Sequence, residues 1–122
     1  MNTQMTKATV KSVDFHSHIL PGIDDGSKSV EMSLAMLKAM AEQGVGKVVA
    51  TPHFYADTET PDKFLARRSK AVYELKSALT DDRLPAIYLG AEVAYFPGIS
   101  HCKELSGLTI SGTKLVLIEM PF

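Results

Sequence analysis

Apolar residues follow two rhythms along the chain, and each change of rhythm marks an expected element. Residues 13–18 read as a short buried strand. The turn formers Pro21, Gly22, Asp24, Asp25 and Gly26 place a loop directly after it. Val30, Leu34, Leu37 and Ala41 then recur at helical spacing, with Ser29 as N-cap, Glu31 in the first turn and Gly44 as the stop. Residues 47–51 read as a second buried strand, broken by Pro52 just before His53. Thr60, Pro61 and Asp62 combine an N-cap, a proline at the first helical position and an early acid. The stripe Leu65, Val72, Leu75 and Leu79 carries that second helix to about Thr80. Residues 86–90 and 114–119 are the third and fourth strands, separated by an irregular stretch with a turn at Ser111 and Gly112. The order β-α-β-α-β, an excursion, then β predicts an α/β fold with a parallel sheet and outer helices, either open or closed into a barrel.

Composition narrows the functional classes. The chain has 122 residues, 45% hydrophobic and 22% charged, as expected of one small globular unit. Its formal net charge is −1 with both signs interspersed, so no basic footprint for nucleic acid is present. No apolar stretch is long enough for a secretory core or a membrane span, and residues 1–12 read as a flexible polar lead-in to a unit covering 13–122. The one cysteine, Cys102, cannot form an internal disulfide, which suits a cytoplasmic protein and leaves nitrogen and oxygen atoms to hold any metal.

His16 and His18 are the strongest chemical signal. Two residues apart on a strand, their side chains leave from the same face and can converge on one ion. His53 follows the second strand, Glu92 the third, Glu119 closes the fourth, and Asp24 and Asp25 lie in the loop after the first. In a parallel sheet the carboxyl ends of successive strands line one rim, so these residues meet there although distant in sequence. Each has a bland reading taken singly: Asp24 and Asp25 as a turn, His53 as a solvated loop residue, Glu119 as an edge charge. Together they describe a rim of imidazoles and bridging carboxylates suited to a cluster of Mn, Fe or Zn. A cysteine-phosphatase reading fits poorly, because Arg67, Arg68 and Arg83 all precede Cys102 and no arginine-bearing phosphate loop can follow it. Cys102 and its neighbour His101 are expected to be bystanders.

Four segments carry a family resemblance: residues 14–27 (DFHSHILPGIDDGS), 51–54 (TPHF), 90–93 (GAEV) and 117–122 (LIEMPF). In that order they resemble the motifs of the capsule-type protein-tyrosine phosphatases of the polymerase-and-histidinol-phosphatase (PHP) family. The resemblance runs from about residue 13 to the last residue. It implies the N-terminal half of a distorted (β/α)7 TIM-like barrel and a manganese-dependent enzyme of capsule and exopolysaccharide systems. Such an enzyme removes phosphate from the tyrosine-rich tail of a partner autokinase through metal-activated hydroxide. By the same resemblance His16 and His18 hold a first metal with Glu92, Glu92 bridges to a second metal also held by Glu119, and His53 with one aspartate holds a third. Asp25 is favoured because it precedes Gly26, as the family's ligand precedes a glycine, with Asp24 the alternative.

The family pattern continues beyond the fourth motif with another histidine, a late Asp-x-His pair and a basic residue near the phosphate, none of which is present. A closed barrel takes about 200 residues or more. The expectation is therefore an incomplete phosphatase with little or no turnover, and an edge near Met120 and Phe122 that invites self-association. Two alternatives stay open: a PHP phosphoesterase of histidinol-phosphate or nucleotide type, and a non-catalytic metal-binding module that completes its sheet with another chain.

Overall fold

The computed structural model describes residues 10–121. The expected lead-in at residues 1–9 therefore lies outside the described part, while Ser12 already belongs to the first strand. In chain order the elements are β1 (Ser12–Ser17), α1 (Val30–Glu42), β2 (Val45–Ala50), β3 (His53–Phe54), α2 (Pro61–Ala78), β4 (Ala86–Leu89), β5 (Glu92–Ala94) and β6 (Leu117–Glu119). Single turns of 3-10 helix occupy Ile99–His101 and Leu105–Leu108. No helix among the described residues is long and apolar enough to cross a membrane.

The helix ends form where the sequence places them. The Ser29 hydroxyl accepts from the Met32 amide and that of Thr60 accepts from Lys63, each satisfying an otherwise unpaired amide of a first turn. Gly44, with φ of 86°, takes the left-handed conformation that ends α1 and turns the chain into β2.

All four strand pairings are parallel, as the alternation of strands and helices predicts, but they belong to two three-stranded sheets rather than one. The first has the order β1-β2-β4 and the second β3-β5-β6. The second sheet exists because β2 and β4 each resume after a two-residue break. Thr51 and Pro52 separate β2 from β3, and Gly90 and Ala91 separate β4 from β5. Hydrogen bonds bridge the breaks, from the Gly90 amide to Ala50 and from the Glu92 amide to Pro52, both 2.9 Å. His53 and Glu92, expected in loops after strands, are thus the first residues of strands, directly paired in register.

Three expectations about these elements change. Residues 13–18 are not a buried strand: β1 is an edge strand, and Val13 and Phe15 are exposed on it. The buried central strand is β2, whose Val48, Val49 and Ala50 are enclosed. The fourth strand contracts from 114–119 to Leu117–Glu119 and pairs only with β5. On α2 the fully enclosed residues are Phe64, Ala71 and Leu75, so the buried stripe is rotated from Leu65 and Val72, which are only partly covered.

Two cores result. Ile19, Leu20, Leu37, Val48, Ala50, Ala71 and Leu75 pack between the first sheet and the helices. Phe54, Phe64, Ala91, Val93 and Leu108 pack beneath the second. Each fully buried large side chain contributes about 1.5–3 kcal/mol. The two cores meet along α2, and the seam between the sheets is where His53 and Glu92 emerge.

Candidate metal centre

The imidazoles and carboxylates expected at the strand ends do converge. His16, still within β1, and His18, one residue beyond it, bring their Nε2 atoms to 3.3 Å. Both face Glu92, whose Oε1 lies 2.8 Å from His16 Nε2 and 3.0 Å from His18 Nε2. His53 Nδ1 lies 3.7 Å from Glu92 and equally far from Glu119. On its other edge, His53 Nε2 is 3.5 Å from Asp25. Three ligand-type groupings overlap: His16, His18 and Glu92; His53, Glu92 and Glu119; and His18, Asp24, Asp25 and His53.

Glu92 is the hub. Its side chain is only 10% exposed, although the neighbouring Glu119 is 40% exposed. It begins β5 in register with His53, and the Ala91–Val93 backbone around it is enclosed in the second core. Desolvating a carboxylate is costly unless partners compensate, and here the partners are histidine nitrogens supplied by β1, its following loop and β3.

The two neighbouring aspartates have different positions. Asp24 turns inward: its Oδ1 accepts from the Gly26 amide at 2.9 Å, and its Oδ2 accepts from the His53 amide at 3.1 Å and contacts His18 Nδ1 at 3.0 Å. Burial pushes the Asp24 carboxyl up, but the Gly26 amide, the His18 ring and the His53 amide together hold it below the usual carboxylate range. Asp25 turns outward, with 84% of its side chain exposed and an oxygen toward His53. The carboxylate that orients the cluster is thus Asp24, and the one left with free lone pairs is Asp25. A glycine following two aspartates signals the turn but not this division.

The donor set suits a cation. His18 Nδ1 meets Asp24 and its Nε2, on the other edge of the ring, faces His16 and Glu92, so the tautomer that donates to Asp24 would offer its Nε2 lone pair to a cation there. His53 Nδ1 is buried without a hydrogen-bond partner among the described residues. Orphaned buried nitrogens are rare, and this one faces two carboxylates at a separation too long for a hydrogen bond. Imidazole nitrogens and carboxylate oxygens therefore converge from seven side chains, as a multinuclear site requires.

Tyr55 borders the same space, its ring stacked on that of His53 at 5.4 Å. Burial raises its hydroxyl pKa, as do the charges of Glu119, Asp25, Glu92 and Asp24. Cys102 and His101 take no part in these groupings; the Cys102 thiol faces Glu104 in the 3-10 region.

Two arginines that the sequence reading treated only as misplaced for a phosphate loop act as braces. Arg67 pairs with Glu59 at 2.6 Å and donates to the Ile23 carbonyl at 2.9 Å, fixing the loop just before Asp24. Arg68 lies on the buried stripe of α2 between Phe64 and Ala71, and donates to Gly90 at 2.7 Å and to Gly107 at 3.2 Å. Burial lowers its pKa, and its Nε has no partner among the described residues. The detectable signal was an arginine at helical spacing between Phe64 and Ala71. Arg68→Met removes the donors of two carbonyls, one of them two residues before Glu92, and is expected to cost about 1–3 kcal/mol in urea unfolding. A stability gain would show that the expense of burying the charge outweighs those bonds.

Residues 12–122 match the family described as capsular polysaccharide synthesis, CpsB/CapC. Tyrosine-protein phosphatase YwqE of Bacillus subtilis is 30% identical over 112 residues, covering 90% of this chain and 43% of that protein. Tyrosine-protein phosphatase CpsB of Streptococcus pneumoniae is 34% identical over 109 residues, covering 88% and 44%. A crystal structure from work on these two proteins, described there as unique metal-dependent tyrosine phosphatases, superposes with a TM-score of 0.69 and 27% identity over 91% of this chain and 45% of that one. The chain therefore spans less than half the length of these relatives.

Proposed function

Because the chain belongs to the CpsB/CapC family of capsular polysaccharide synthesis, we propose that it carries the metal-holding half of a phosphotyrosine phosphatase site. The observation that carries this reading is Glu92, a buried carboxylate set against three histidines, one with an orphaned buried nitrogen. His16, His18 and Glu92 would hold one metal, Glu92 would bridge to a second shared with Glu119, and His53 with Asp25 would hold a third. Asp24 serves from behind, fixing the His18 ring and the His53 backbone. The metal we favour is Mn, as the mixed imidazole and carboxylate set allows. When bound, such cations supply a hydroxide from water at neutral pH and polarise the phosphoryl oxygens.

The chain's own contribution is placement. The overlapping groupings share Glu92, His18 and His53, so moving any one of them disturbs two groupings at once. Asp25, His16 and Glu119 are the cluster's exposed side chains, at 84%, 50% and 40%, so a phosphate would approach from the solvent side on which they lie. The physiological substrate under this reading is a phosphotyrosine tail of an autokinase.

Elemental analysis after dialysis against Mn tests the proposal. The parent chain is expected to retain stoichiometric Mn, the His16→Ala, His18→Ala double variant to lose most of it, and turnover of a phosphotyrosine peptide by the parent to stay near background. Absence of metal in both proteins would sink the reading.

A further inference from the structure

The metal-ligand cluster does not account for the aromatic surface beside it. His18, His53 and Tyr55 form a continuous stack: the two imidazoles lie 4.6 Å apart at 23°, and the phenol follows at 5.4 Å and 13°. The outermost ring, Tyr55, is 41% exposed. Tyr95 is 48% exposed, and its backbone is anchored by a 2.9 Å bond from its amide to the Glu119 carbonyl.

Between the two tyrosines lies a hollow of about 230 Å³, floored by Ala56, Ala94 and Pro97. A second hollow of about 150 Å³ shares Ala94 and Tyr95 with it and reaches Glu119. The two hollows adjoin at Ala94 and Tyr95, so a trough is lined from Glu119, at the end of β6, to the aromatic rings of Tyr55, Tyr95 and Phe96. Ala94 makes this space, because it is the small residue paired in register with Glu119.

We propose that Tyr55 and Tyr95 bracket a subsite for the aromatic leaving group of a phosphomonoester, the aryl ring lying in the hollow between them while the phosphate faces Glu92 and Glu119. This rests on the metal-phosphatase reading and adds the residues that choose the ester. Geometry restricts the occupant. Tyr55 lines the hollow and turns one face of its ring to His53, so a further ring can stack only on its other face. A planar aromatic group can extend this stack, whereas a short alkyl chain leaves most of the trough wet. Asp57, on the rim of the hollow, disfavours a second anion there and leaves the aryl ring itself as the recognised feature.

The test is calorimetric binding of phenylphosphonate and methylphosphonate, neither of which can be hydrolysed as an ester, to the Mn-loaded 122-residue chain. Phenylphosphonate is expected to bind about tenfold more tightly, the advantage that ring stacking and apolar contact supply. Tyr55→Leu and Tyr95→Leu should each reduce that preference to about twofold or less, with Mn content and methylphosphonate affinity unchanged, while Tyr55→Phe keeps it. Equal binding of the two phosphonates by the parent, binding of neither, or a preference untouched in both leucine variants overturns the subsite. Loss of Mn in Tyr55→Leu overturns it too, since Tyr55 would then be a prop for His53. A parent chain that takes up no Mn defeats the underlying metal reading and this inference with it, whereas Mn uptake without aryl preference defeats the subsite alone.

Discussion

Replacing Glu92 with glutamine is expected to abolish the thermal stabilisation that the proposed Mn site would give this protein while leaving the fold without added metal almost unchanged. The carboxylate is enclosed, contacted by His16 and His18, and 3.7 Å from His53. Glutamine has nearly the same shape, keeps an acceptor oxygen for an imidazole N–H and removes a buried negative charge. Those effects oppose one another, so the metal-free stability should move by less than about 1 kcal/mol. The loaded state behaves differently, because a neutral amide is a poor bridging ligand and Glu92 belongs to two of the three groupings. At Mn near 100 times its dissociation constant, linkage adds about 2.7 kcal/mol to the parent. For a chain of this size that corresponds to a rise of roughly 10 °C or more. Glu92→Gln should rise by less than about 1 °C under the same conditions. Thermal melts with and without Mn decide it. A variant that keeps the full rise would show that Mn binds elsewhere, and one that is already unfolded without Mn would show that Glu92 serves the core.

The contrast between the two glutamates shows how much of the centre is legible in the sequence. Glu92 and Glu119 look alike there, each a carboxylate at the end of an apolar run. Only the pairing of His53 with Glu92 across the break between the sheets makes one a hub and leaves the other on the rim. The helices were readable almost to the residue, because their ends are set locally by Ser29, Thr60 and Pro61. Burial was less readable. Val13 and Phe15 are apolar and β-prone, but exposure depends on what lies against an edge strand, which no local pattern records. The split into two sheets escaped for a related reason: Pro52 and Gly90 look like strand ends, although the chain resumes its pairing just beyond each. Asp24 and Asp25 could be placed in the loop but not told apart, since their roles depend on hydrogen bonds to the Gly26 amide nearby and to the His53 amide, 29 residues away in sequence.

Gly26→Ala is expected to damage the protein far more than an alanine in a turn usually does, and to dismantle the His18 side of the centre with it. The loop after β1 doubles back on His18: the Ser27 amide donates to the His18 carbonyl at 3.0 Å, and the Gly22 amide donates to the Ser27 carbonyl at 2.9 Å. A Cβ on Gly26 would collide with both the Cβ and the carbonyl oxygen of His18. Neither atom is the far end of a flexible side chain, so relief requires the backbone to move. Overpacking of that kind costs about 1–3 kcal/mol and occasionally more. The movement also reaches the chemistry, because His18 is gripped by Asp24, whose other oxygen holds the Gly26 amide. Gly22 supplies the control. With φ of 66° but nothing within 4 Å of a built Cβ, it demands the left-handed conformation without close packing. Gly22→Ala should therefore cost about 1–2 kcal/mol and keep its Mn. Denaturant unfolding paired with Mn content separates the cases: Gly26→Ala should be the less stable variant and the only one of the two to lose metal. Equal stability and equal Mn would mean that the loop can open away from His18 without cost, and that Gly26 serves only the turn.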